Sequence, residues 1–168
     1  MEKTINFSNL VINVQEQDEL VVYTFDGDVD ENFRQEQVPR IQKKKIILEL
    51  ANIKNFNSCG IREWIFFIRD ISALGSLVFK ECSVSMVDQI NLVPDSLGGG
   101  KINSLYAPYY CDCQGEVNRL IDYDGLCKLM ETKTAPVFEC EKCGKELEFD
   151  ALEESYFLFT SGGLSQVG

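Results

Sequence analysis

Two short cysteine pairs constrain this chain more than any other feature of its sequence. Cys111-Asp112-Cys113 and Cys140-Glu141-Lys142-Cys143-Gly144 stand twenty-six residues apart. The chain holds seven cysteines, an odd number, and it opens Met1-Glu2-Lys3-Thr4-Ile5-Asn6, with neither a basic start nor an apolar signal core. A full disulfide framework is therefore not expected, and a cytoplasmic location is. Histidine is absent. That removes it as a metal ligand, as a general base and as the middle member of a catalytic triad.

Two chelating turns that each supply two sulfurs match the tetrahedral, thiolate-rich shell of a structural zinc ion. The expected ligands are Cys111, Cys113, Cys140 and Cys143, with Cys127 as a spare candidate. Four thiolates leave no open coordination position, so the ion is expected to be structural rather than catalytic. The competing reading is thiol redox chemistry at Cys140/Cys143. A thioredoxin-like Cys-x-x-Cys belongs at the end of a strand that opens a helix. Here Gly144-Lys145 and a strand-like run follow instead.

The 168 residues suffice for one domain, or for a domain and a small module. A separate piece of about sixty residues has too little core of its own and usually needs a metal or disulfides. The net charge of −11 disfavours nucleic acid and anionic membrane surfaces. Lys43-Lys44-Lys45 reads as a solvated strand edge. No apolar run approaches the roughly 18 residues of a membrane span; the longest is Trp64 to Ile68.

Periodicity predicts strands over Leu10 to Val14 and Leu20 to Phe25, paired as a hairpin. Asp30 to Gln37 is a short helix candidate limited by Pro39. Lys45 to Leu50 reads as a buried central strand. Ile61, Trp64, Ile65, Ile68 and Ile71 recur at helical spacing, with Asn57 or Ser58 as N-cap and Gly75 as stop. Leu77 to Phe79 predicts a strand, Ser83 to Leu92 a helix, and Lys101 to Tyr110 a further strand. Beyond it lie strand candidates at Glu116 to Ile121, Val137 to Glu139 and Leu147 to Phe149. The expected class is α/β: a mixed sheet with helices packed on it, followed by a small β module. Gly98-Gly99-Gly100 has no nucleotide-binding spacing, and no small-molecule substrate is evident.

Tyr109 to Phe149 resembles a zinc ribbon, chiefly at the Cys140–Gly144 knuckle. Leu10 to Tyr110 resembles a STAS domain, the fold of anti-sigma factor antagonists. The resemblance rests on element order, on Gly27-Asp28-Val29-Asp30 after the hairpin, and on Asn57-Ser58-Cys59-Gly60-Ile61 where the family has "D-S-S-G-[LI]". It implies a STAS-like domain over residues 1–109, a zinc-ribbon-like module over 110–160, and a flexible tail over 161–168. It also implies docking of a protein partner through Asn57, Ser58, Cys59 and Gly60. Cys59 occupies the position of the serine that the signalling members phosphorylate. It is expected as a small residue packed beneath the loop; the sharper alternative is a redox sensor. Trp64, Phe66 and Phe67 are expected as core contacts, with a partner-facing position for one of them as the alternative. Asp26, Asp28, Asp30 and Glu31 are expected as a solvated rim. With these features the chain is expected to be a non-catalytic regulatory or scaffold protein.

Overall fold

The computed structural model describes residues 1–161 and 167–168. Its first part is a six-stranded sheet in the order β1-β2-β3-β4-β5-β6. β1 (Glu2–Asn6), β2 (Leu10–Glu16) and β3 (Leu20–Val29) form an antiparallel run, β1 pairing with β2 and β2 with β3. β4 (Lys45–Phe56), β5 (Ser76–Lys80) and β6 (Lys101–Ile102) then follow in parallel. Parallel neighbours need a crossover. α1 (Ser58–Ser72) and α2 (Val84–Leu92) provide two of them.

Alternation along the strands creates the core. Val21 and Tyr23 lie beside Ile46 and Leu48, which lie beside Leu77 and Phe79, and all six are buried. α1 sets Trp64, Phe67, Ile68 and Ile71 against this face. Phe25 meets Trp64 and Phe67 in edge-on contacts at 5.2 and 5.9 Å. Such aromatic pairs add to the area-dependent gain of burial. The Trp64 indole N–H donates to the Ser96 carbonyl at 3.0 Å, so its polar atom is satisfied inside the core.

Several expectations are corrected. β1 was not foreseen, because only Ile5 of its five residues is buried and backbone pairing holds the rest at the sheet edge. β4 runs on to Phe56 instead of stopping at Leu50. The helix expected over Asp30 to Gln37 is only a 3-10 turn at Gln35–Gln37. Asp30 diverts the chain: its carboxylate accepts the Asn32 N–H at 2.8 Å and its carbonyl accepts that of Phe33 at 3.1 Å.

A second, three-stranded antiparallel sheet has the order β8-β7-β9. It consists of β7 (Leu105–Cys111), β8 (Gly115–Ile121) and β9 (Glu148–Phe149). Between β8 and β9 lies an unforeseen helix, α3 (Tyr123–Thr132), capped by Asp122, whose side chain accepts the Gly125 N–H. The short α4 (Glu153–Tyr156) follows β9. Val137 to Glu139 is not a strand; it contributes one bridge, Glu139 to Glu146.

The second sheet thus begins at Leu105, where a bridge to Cys82 ties it to the first. Ile102, Leu105, Ala107 and Tyr109 belong to one continuous apolar cluster with Phe79 and Trp64. Of the tail, residues 162–166 lie outside the described residues; Val167 is buried and bridges Ile102. Among the described residues, no helix is long and apolar enough to cross a membrane.

Candidate metal centre

Two backbone turns aim the four sulfurs at one point. The first cysteine pair sits where β7 turns into β8, with Cys111 opposite Gly115. The Gln114 N–H donates to the Cys111 carbonyl at 3.2 Å and tightens that turn. The second pair sits at the tip of a narrow loop. There the Cys140 N–H donates to the Lys145 carbonyl at 2.7 Å, and the Gly144 N–H donates to the Cys140 carbonyl at 2.8 Å. Gly144 has φ +72°, a conformation that strains residues with a Cβ.

The Sγ atoms of Cys111, Cys113, Cys140 and Cys143 all lie within 4.8 Å of one another. Cys111 to Cys113 is 3.5 Å, Cys111 to Cys143 is 3.5 Å and Cys113 to Cys140 is 3.4 Å. All seven cysteines are free thiols, so no disulfide competes for these sulfurs. The set can hold a metal ion. Cys111 and Cys140 form its buried side, Cys113 and Cys143 its exposed side. Cys127 lies half-buried on α3 and stands outside the set.

Electrostatics fit a cation site. The backbone N–H of Cys143 points at the Cys140 sulfur and, with that of Lys142, holds its thiol down to about 6. The Cys140 sulfur beside Cys113, helped by Cys143 and Cys111, pushes that thiol up to about 12. For Cys111 the Cys113 N–H favours ionisation, but burial and the neighbouring sulfurs outweigh it and the thiol is raised. The Cys140 thiolate forms readily while Cys111 and Cys113 resist, because like charges crowd. A bound cation would supply the compensating charge.

Side chains around the sulfurs brace the second turn. Gln114 donates from Nε2 to Cys140 Sγ at 3.2 Å. Arg119 pairs with Glu141 at 2.8 Å and lies 5.2 Å over the Phe138 ring. Tyr109 donates its hydroxyl to the Pro136 carbonyl at 2.7 Å and meets Phe138 edge-on at 5.2 Å. Gln114 was not singled out from sequence. Its position directly after a cysteine pair was visible there, but its reach across to Cys140 was not.

The Asn57–Gly60 loop opens α1 at the end of β4. Asn57 is the N-cap, its Oδ1 accepting the Gly60 N–H at 2.9 Å. Asn57, Ser58 and Cys59 are exposed and Gly60 is buried. Cys59 therefore does not pack beneath the loop, which corrects the expectation. Gly60 is required by close approach, since a Cβ there would lie 1.8 Å from the Val29 carbonyl oxygen. Trp64 and Phe67 are core residues, while Phe66 is exposed beneath the Arg69 guanidinium, 4.9 Å from its ring centre. The expected rim of acids is hydrogen-bonded to asparagines: Asn52 to Asp26, Asn55 to Asp28 and Asn9 to Asp30. The Asn9 bond holds the Asp30 carboxyl below its usual range. No protein-family model matches this chain, and no curated protein does.

Proposed function

We propose that this chain is a non-catalytic regulatory or scaffold protein whose C-terminal part is built on one structural zinc ion. The observation that carries the reading is the convergence of four cysteine sulfurs within 4.8 Å. A zinc ion about 2.3 Å from each sulfur would space them about 3.8 Å apart, close to the separations found. Four thiolates fill the tetrahedron and leave no place for a substrate or an activated water. The hairpin turn and narrow loop that carry them, beside a three-stranded sheet, support the zinc-ribbon-like reading.

An antiparallel hairpin leading into parallel strands, with a helix opening at Asn57, supports the STAS-like reading of the N-terminal part. On that reading a protein partner docks on the exposed Asn57–Cys59 edge and the adjoining start of α1. The chain's net negative charge suits a basic partner through steering.

Metal analysis coupled to site-resolved alkylation tests the proposal. One zinc per chain is expected, with Cys111, Cys113, Cys140 and Cys143 protected until a strong chelator is added. Exposed Cys59 should label first, half-buried Cys127 more slowly, and buried Cys82 only on unfolding. Metal-free protein whose Cys140 and Cys143 cycle through a disulfide would replace this reading with the redox one.

A further inference from the structure

Gln114 is the residue other than cysteine whose side chain is hydrogen-bonded to a sulfur of the set, among the described residues. It sits in the β7–β8 turn directly after Cys113. Its backbone N–H is committed to that turn through the Cys111 carbonyl at 3.2 Å. The side chain leaves the turn and reaches Cys140 on the opposite turn, with Nε2 3.2 Å from Sγ. The residue is half-buried.

Resting on the zinc reading above, we propose that Gln114 is a positioning residue of the metal centre. Its carboxamide N–H stabilises the Cys140 thiolate and locks the two cysteine turns in register around the ion. Four thiolates around a divalent cation leave a net charge of −2, and donors directed at sulfur spread that charge. Gln114 adds a donor from a different segment of chain. It therefore couples ligand chemistry to the closure of the site, which a backbone donor inside the second turn does not. Length matters: asparagine is one methylene shorter and would fall out of hydrogen-bond range. Polarity matters too, because a carboxylate at the same place would repel the thiolate.

Cobalt(II) substitution and zinc competition against a chelator test this on the intact chain. In the wild-type protein, cobalt bound by four thiolates gives an intense sulfur-to-metal charge-transfer band. Removing a donor raises the energy of the sulfur electrons, so Gln114→Ala should move that band to longer wavelength. It should also weaken zinc retention about tenfold. Gln114→Asn should behave like the alanine variant, and Gln114→Glu should lose more. A residue that only fills space would be rescued by the similarly sized glutamate and would leave the band in place. If the wild type binds cobalt and the three variants match it in band position and zinc retention, this inference falls while the zinc reading stands. If the wild type takes up no cobalt or zinc, both fall.

Discussion

The two sheets of this protein solve the same problem by different means. The six-stranded sheet is held by its interior: Tyr23, Phe25, Leu48, Trp64, Phe67 and Phe79 are fully buried between strands and α1. The three-stranded sheet has a two-residue outer strand, β9, and a loop from Lys133 to Phe138 without helix or strand. Its buried side chains, among them Leu105, Tyr109, Ile121, Leu126, Leu129 and Leu147, join Tyr156 and Phe157 in the common apolar cluster. Four convergent sulfurs add a second means of closure, joining the β7–β8 turn to the loop of Cys140 and Cys143. A surface-rich module of this size buries too little apolar area to offset the ordering of its chain. A metal ion joining the two distant turns would supply the difference in a single interaction.

Chelation should separate the two halves most sharply. Zinc binding to such a site is worth on the order of 10 kcal/mol. Stripping the ion should abolish amide protection around Cys111 to Gly115 and Phe138 to Leu147, while β2 to β5 keep theirs. Hydrogen exchange resolved by peptide reads this directly. Equal loss in both sheets would mean that the cores fold as one cooperative unit through the Cys82–Leu105 junction, and the contrast drawn above would fail.

Phe67→Ala probes the opposite side. Its ring touches Tyr23, Phe25 and Trp64. Truncation should cost about 3–5 kcal/mol in denaturant unfolding followed by Trp64 fluorescence, with zinc content unchanged. Loss of metal together with stability would show that the first core props up the second. The smallest expected effect is at the loop. Asn57→Ala removes the α1 cap and should cost about 1 kcal/mol, leaving chelator sensitivity as in the wild type. A larger loss would make the Asn57–Glu31 contact part of the core's support.

Much of this arrangement was legible in the residues. Short runs of apolar, β-branched and aromatic residues announced β2, β3, β4 and β5, and the 3.6-residue spacing from Ile61 to Ile71 announced α1 and its buried stripe. The helix predicted over Ser83 to Leu92 is α2, with Ser83 as its cap accepting the Met86 N–H. α3 was missed: Asp122 as cap and Leu126, Leu129 and Met130 at helical spacing carried a signal, but Gly125 in its first turn weakens it. The edge strand β1 was not readable, because pairing of backbone groups leaves little trace in side-chain pattern.

The residues alone determined which groups can bind a cation and which cannot. Cysteine spacing is local chemistry, and the lack of histidine is absolute. What only the tertiary structure decided is which sulfurs meet, since Cys127 was as available by composition as Cys113. Burial of Cys59 was likewise undecidable in advance, because it depends on where α1 lies against Val29. Both outcomes turn on contacts between segments far apart in the chain. Such contacts are set by how whole sheets and helices pack, and a residue's immediate neighbours in sequence do not encode them.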